Sequence, residues 1–467
     1  MGDHAATALD WLALVEHELL LFAGFFFLLG AIDEFAMDIA WFWLRLTKRV
    51  ETPVLSRRDI HHRQLTGRAA VLIPAWQEAQ VIGDTLAHAL AVWPQKDLRL
   101  YVGVYRNDPA TLEAAVRGAR GDSRVRIVVH DRDGPSTKAD CLNRLYAALQ
   151  QDELREGREA RMVVLQDAED MVDAAALALL DRAIGTSHFV QLPVLPMPQE
   201  NSRWIGSHYC EEFAEAHGKA MVVRDALGAS LPAAGVGCAF ERQMLSDIAF
   251  KMGLNAPFDE DSLTEDYELG VKVAALGGRS RFLRVRGENG QLIATRAYFP
   301  SHLGAAVRQK ARWMHGIALQ GWDRLGWTGG PAEWWMRLRD RRGPLSALVL
   351  FSGYALMVLG LVLAGLHLAG IGSTWQPGLL LQVLVTLNLV SFAWRGVMRF
   401  AFTRAEFGWR EGLRAVLRIP MANIISIMAG YRALFAYGKT LRGSAPLWDK
   451  TSHDTHPARA VSLEWSR

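Results

Sequence analysis

The amino-acid sequence predicts an α/β domain with a mostly parallel sheet, set between apolar helices that can enter a bilayer. Three observations predict it. Charge is spread over residues 45–343 while long apolar runs lie at both ends. Four short apolar, β-branched runs in the middle alternate with helical stretches, as in a parallel sheet with crossover helices. A polar, carboxylate-rich segment follows each of these runs, where such sheets bind ligands. With 467 residues, half of them apolar, the chain is long enough for two or three structural units. Its net charge is only +3, and no nucleic-acid partner is expected. Cys141, Cys210 and Cys238 are an odd number without CxxC spacing, which argues against a disulfide framework and a zinc ribbon.

The first apolar run, 18–46, exceeds the roughly 20 residues that cross a bilayer. No Lys or Arg precedes Arg45, whereas Arg45, Lys48, Arg49, Arg57 and Arg58 follow closely, unlike a cleaved signal peptide. The positive-inside rule puts the N-terminus outside and the middle of the chain in the cytoplasm. Asp33, Glu34 and Asp38 mark either a functional polar face or a helix that leaves the hydrocarbon near Ile32. Residues 1–66 are thus read as a transmembrane helix and an interfacial segment.

The α/β domain is expected over 67–300. Residues 69–74, 98–105, 124–130 and 161–166 read as strands buried on both faces, separated by helical stretches. Their ends bring Trp76 and Glu78, Asn107 and Asp108, 131–138, and the acidic stretch DAED (167–170) to one crevice. Interfacial helices are expected over 301–343. Over 344–442, two spans (345–370 and 378–400) form a hairpin with an outside loop near 374–377. A third apolar stretch breaks at Pro420 and carries Arg432, Lys439 and Arg442, which favours an interfacial or re-entrant helix. Residues 443–467 are a polar tail.

No GxGxxG or GxxxxGK[ST] supplies a phosphate grip. The crevice offers carboxylates and a lysine instead. Carboxylates hold a phosphate only through a hard cation, so the acidic stretch is read as a site for Mg²⁺ or Mn²⁺ bridging to a nucleotide diphosphate. Bland readings compete at each position. DAED taken alone suits a solvated loop, 264–268 a helix cap, and Gln309, Arg312 and Trp313 an interfacial face. The pairs His61, His62 and His208, His217 lack a metal-ligand arrangement. Glu211, Glu212 and Glu215 read as helix-face charge or as the lining of an acceptor path.

In order, PAWQE, ND, KADCLN, DAED, TED and QxxRW resemble the membrane-bound family 2 glycosyltransferases. The stretches DRDGPSTKADCLNRL and GVGCAFER are similar to the bacteriophage adsorption protein B group within them, the resemblance covering 41–442. It implies a GT-A-like, Rossmann-related domain and the following roles. Trp76 and Asp108 frame the uracil of a UDP-sugar, with Glu78 beside them. Lys138 meets the diphosphate near Asn143. Asp167 and Glu169 hold the metal, Asp170 being the alternative to Glu169. Asp266 is the general base of an inverting displacement. Arg312 grips the diphosphate, Trp313 offers a face to the acceptor, and Gln309 a hydrogen bond.

The implied activity is transfer of an N-acetylhexosamine, such as N-acetylmannosamine or N-acetylglucosamine, from a UDP-sugar to a surface or secreted polysaccharide at the cytoplasmic face of a bacterial inner membrane. The alternatives are a single transfer to a lipid-linked acceptor and a non-catalytic receptor or scaffold. Membrane lipids are expected partners. Three spans are few for a channel, so a homo-oligomer or a periplasmic or outer-membrane export partner is expected to complete one.

Overall fold

The computed structural model describes residues 2–371, 378–443 and 455–461. The loop expected at 374–377 and most of the polar tail lie outside them. Helix α1 (Gly2–Leu46) leads into the α/β domain. The central sheet comprises β1 (Ala69–Pro74), β2 (Leu98–Tyr105), β3 (Val125–His130), β4 (Met162–Leu165), β5 (Phe189–Gln191), β6 (Cys238–Glu241) and β7 (Ser280–Phe282). Their spatial order is β3-β2-β1-β4-β6-β5-β7. Strand β1 pairs in parallel with both β2 and β4, while β6 runs antiparallel between β4 and β5.

Three of the four expected strands are covered on both faces; β3 departs from the expectation for 124–130, because as the edge strand of the sheet it is only half-buried, with Val129 40 % exposed. Val71 and Ile73 pack beneath helices α2 (Ile82–Val92) and α3 (Pro109–Ala119), through Ile82, Leu86, Ala114 and Ala115. Ala70 and Leu72 face α4 (Lys138–Glu156) through Leu142, Leu145 and Leu149. Local chemistry sets the helix ends. Asp108 accepts from the Thr111 N–H with Pro109 in the first turn, and Thr137 accepts from the Asp140 N–H. Three strands beyond β4 escape the sequence pattern because, besides being as short as β4 or shorter, they do not continue the alternation of parallel strand and crossover helix, with β6 running antiparallel to both neighbours.

Among the described residues, four helices are long and apolar enough to cross a membrane: Trp11–Leu46, Gly343–Leu368, Leu379–Phe407 and Ile419–Thr440. The break expected at Pro420 does not occur. Pro420 lies in the first turn of Ile419–Thr440, where its missing N–H interrupts no helical bond.

Residues 11–46 extend about 54 Å, well beyond a hydrocarbon core of about 30 Å. The surplus length carries the acidic residues, and each finds a protein partner. Asp33 accepts from Trp335 Nε1 at 2.6 Å and pairs with Arg339 and Arg342. Glu34 pairs with Arg339 at 2.8 Å and Arg395 at 3.0 Å. Asp38 is 2.5 Å from Lys219 Nζ and accepts from Trp394 Nε1 at 2.8 Å. Glu215 also pairs with Lys219 (2.7 Å) and Arg395 (2.8 Å). The polar face of α1 is thus an ionic clamp that ties the apolar helices to the α/β domain.

Candidate active site

The carboxyl ends of β1, β2 and β4 open onto one crevice. Trp76 follows β1, its ring edge-on to Tyr105 with centroids 4.9 Å apart. Gly134 lies against that ring so closely that a Cβ there would fall 2.4 Å from Cζ3. Trp76 is consequently 9 % exposed. Asp108 Oδ2 accepts from the Gln77 N–H at 2.6 Å, while the Glu78 N–H donates to Thr111 Oγ1 at 2.9 Å. These bonds hold Gln77 at φ +54, a conformation unusual for a residue with a Cβ. Trp76, Glu78 and Asp108 thereby share one braced turn.

Lys138 opens α4, and its Nζ lies 2.5 Å from Asp167 Oδ1 across the crevice. Burial disfavours the ammonium, but Asp167, Glu265 and Asp266 outweigh it and hold the lysine protonated above its usual range. Asp170 turns inward. Its Oδ2 accepts from the Asp167 N–H at 2.7 Å, and burial, reinforced by Asp167 and Glu169, raises its carboxyl pKa. Asp170 therefore shapes the turn, whereas Asp167 and Glu169 are only half-buried. Among the described residues, no three His, Cys, Asp or Glu side chains gather as a metal-ligating group. A cation bound there would draw on two carboxylates and on oxygens of its ligand.

The TED sequence begins α5 (Glu265–Ala275). Asp266 Oδ1 accepts from the Tyr267 N–H at 2.8 Å. Its Oδ2 rests against Gly235 at φ +72, where a Cβ would lie 2.4 Å away. Burial raises the Asp266 pKa against the opposing pull of Lys138. The neighbouring Glu265 is pushed up to about 7 by burial and then by Asp266, against Lys138 and Arg312. Lys138, Asp167, Glu265, Asp266 and Arg312 thus form one electrostatic cluster, although 174 positions separate Lys138 from Arg312.

Gln309, Arg312 and Trp313 lie on α6 (Leu303–Trp313). Gln309 Oε1 and Arg312 Nε are buried without a hydrogen-bond partner, as is Thr264 Oγ1 in the TED sequence. Buried polar atoms of this kind mark where a ligand would complete the bonding. Trp313 sits among Tyr209, Phe213 and Phe299, with ring centroids 6.2 to 6.4 Å away. A wide π-type turn, Met314–Gln320, then docks on the TED sequence: Gly316 leaves room for Thr264, and Gln320 Oε1 accepts from the Leu263 N–H at 3.3 Å.

Other polar residues singled out in the sequence serve the scaffold. Asn143 binds both backbone groups of Phe258, so it supports the loop leading to the TED sequence. Glu211 pairs with Arg418 at 2.8 Å and Glu212 with Lys310 at 2.6 Å, which ties them to helices around the site. His208 and His217 are buried, and burial depresses both to about 4. Sequence reasoning gave Glu265 no role of its own, and its place beside Asp266 was the available signal. It also missed the loop carrying Glu260, Asp261 and Leu263, which lines a narrow cleft with Thr137 and Lys138.

Residues 67–316 match the model of glycosyltransferase-like family 2. Over 460 residues the chain is 32% identical to bacteriophage adsorption protein B of Escherichia coli (strain K12), covering 91% of this chain and 60% of that one. The same figures hold for bacteriophage N4 adsorption protein B of Escherichia coli O157:H7. The chain therefore spans about 60% of the length of the curated relatives it matches. Among solved structures, the fold is similar to mannosyltransferase PcManGT from Pyrobaculum calidifontis in complex with GDP-Man and Mn²⁺. The TM-score is 0.52 at 17% identity, covering 91% of this chain and 99% of that one. That likeness shows a GT-A-like fold.

Proposed function

Because the chain belongs to glycosyltransferase-like family 2, we propose that it is an inverting, metal-dependent transferase that moves a sugar from a UDP-sugar donor to a glycan acceptor at the cytoplasmic face of a bacterial inner membrane. The supporting observation is the electrostatic cluster. Lys138 sits 2.5 Å from Asp167 and feels both Glu265 and Asp266, which joins the diphosphate-side and acceptor-side groups in one crevice. The clamp between α1 and the α/β domain supports a site held beside the membrane.

Asp266 is the general base. The acceptor hydroxyl oxygen bonds to the anomeric carbon as its proton passes to Asp266, and the bond from that carbon to the diphosphate breaks with its electron pair leaving on UDP. A raised carboxyl pKa makes Asp266 a stronger base while Lys138 keeps it ionisable. Lys138 and Arg312 offset the charge developing on the leaving diphosphate. Gln309 Oε1, buried and unpartnered, accepts from an acceptor hydroxyl, and Trp313 supplies the apolar wall beside it. Trp76, Glu78 and Asp108 border the base pocket. The carboxylates at Asp167 and Glu169 are the hard oxygen donors that a divalent cation takes, and Asp167 already carries the Lys138 ammonium as its counter-charge. Bound by them, Mg²⁺ or Mn²⁺ would neutralise diphosphate charge.

An N-acetylhexosamine, such as N-acetylmannosamine or N-acetylglucosamine, is the sugar proposed, and a growing surface or secreted polysaccharide the acceptor. The test is nucleotide release by purified protein in detergent against a panel of UDP- and GDP-sugars, with and without Mn²⁺ or Mg²⁺. Metal-dependent release from a UDP-N-acetylhexosamine is expected. Folded protein that turns over no sugar nucleotide in any condition would refute the reading.

A further inference from the structure

The carboxylate turn and its continuation are held from behind by an unusual row of side-chain donors. Backbone carbonyls at alternate positions 168, 170 and 172 each meet a side chain. Thr85 Oγ1 lies 2.5 Å from Ala168 O, His456 Nε2 lies 3.2 Å from Asp170 O, and His88 Nε2 lies 2.9 Å from Val172 O. Trp93 Nε1 donates to Asp173 O at 3.1 Å. Thr85 and His88 stand three residues apart on α2 and so share one of its faces. His456 fills the place between them, its ring centroid 6.3 Å from that of His88.

His456 arrives from 286 positions along the chain, yet it is 1 % exposed. Its Nδ1 accepts from the Ala458 N–H at 3.1 Å, which leaves Nε2 to carry the ring proton and donate to Asp170 O. Burial depresses its pKa to about 4, consistent with that neutral tautomer. Arg459 secures the same segment, with Nε 2.5 Å from Asp84 Oδ2 and an N–H donating to Gln80 O at 3.1 Å.

We infer that the segment around His456 is a strap that holds the Asp167–Asp170 turn in the geometry that receives a metal–diphosphate, with His456 a positioning residue. The Asp170 carboxylate fixes the turn from within by accepting the Asp167 N–H. The His456 bond to the Asp170 carbonyl fixes the same residue from the opposite side. Releasing it frees Asp167 and Glu169 to drift apart. Partners one step removed from a metal's own ligands typically change its affinity by about 10- to 100-fold.

The inference rests on the metal-dependent reading above, so the test has one arm that needs metal and one that does not. In the full chain, His456→Ala is compared with His456→Gln, whose amide N–H retains a donor, and with Arg459→Gln, which loosens the strap while leaving the ring in place. The first arm titrates Mn²⁺ against UDP binding. His456→Ala should raise the half-saturating Mn²⁺ at least tenfold, Arg459→Gln should raise it less, and His456→Gln should stay within about threefold of the parent. The second arm follows amide hydrogen exchange across 165–173 without metal, where His456→Ala should exchange at least tenfold faster. A parent that binds no UDP with metal would overturn the proposed function, and the exchange arm would still decide on the strap. Unchanged exchange across 165–173 in folded His456→Ala and Arg459→Gln would overturn the strap itself. Faster exchange with an unaltered Mn²⁺ requirement would overturn the positioning role.

Discussion

Gly235→Ala should inactivate the enzyme while leaving it folded. A Cβ at this position would lie 2.4 Å from Asp266 Oδ2, and ordinary contact begins near 3.4 Å, so the carboxylate must move by about 1 Å. Misplacing a reacting group by about 1 Å costs on the order of 100-fold in rate, or about 2.7 kcal/mol of barrier. The same substitution also places an L side chain at φ +72, a left-handed conformation that costs about 1–2 kcal/mol of stability. Gly228→Ala separates the two effects. Its φ is +68, yet a Cβ there meets nothing within 4 Å, so it carries the backbone cost without the collision. The assay is nucleotide release with kcat and KM measured separately, alongside thermal unfolding of the solubilised protein. Both variants should lose similar stability, and only Gly235→Ala should lose kcat, with the donor KM within about twofold of the parent. Equal kcat in folded Gly235→Ala and parent would refute Asp266 as the base.

The remaining expectations concern charge. Asp266→Asn should lower kcat by about 10²- to 10⁴-fold with UDP binding retained, whereas Asp167→Ala should abolish metal-dependent UDP binding measured by calorimetry. Glu265 is pushed up to about 7 by burial and by Asp266. Between the ordinary carboxyl value of about 4.3 and about 7, the folded chain keeps a proton that the unfolded chain has lost. Stability from this group is therefore present below that window and lost as pH rises through it. Glu265→Gln should raise the Tm of the ligand-free protein more at pH 8 than at pH 5; an equal change at both would refute the assignment. Lys219 is 1 % exposed between Asp38 and Glu215. Lys219→Met leaves both carboxylates without their ammonium and should cost about 3–5 kcal/mol. Adding Asp38→Asn should recover part of that loss in thermal unfolding, and no recovery would count against the clamp.

Much of the fold was readable because its signals are local. The strand at 69–74 is apolar throughout, since both faces are covered, and Asp108, Pro109 and Thr137 announce the helices they begin. Strand β6, Cys238–Glu241, was not readable, because its antiparallel direction depends on the strands that flank it. The candidate site was legible as a set of motifs at strand and helix ends. Which member of DAED turns inward was not, since one extra bond, from the Asp167 N–H to Asp170, separates it from its neighbours.

By itself the sequence determined where apolar runs are long enough to cross a membrane, where strand alternates with helix, and which carboxylates follow the strands. Periodicity and run length carry that information within 10 to 20 residues. What the acidic residues meet depends on the tertiary structure: the carboxylates of Asp38 with Lys219, Asp167 with Lys138 and Asp266 with Gly235, and the backbone carbonyl of Asp170 with His456. Each contact joins positions 29 to 286 apart. Such pairings depend on the path of the whole chain, which buries a charge beside its partner because leaving it alone in the interior would cost several kcal/mol.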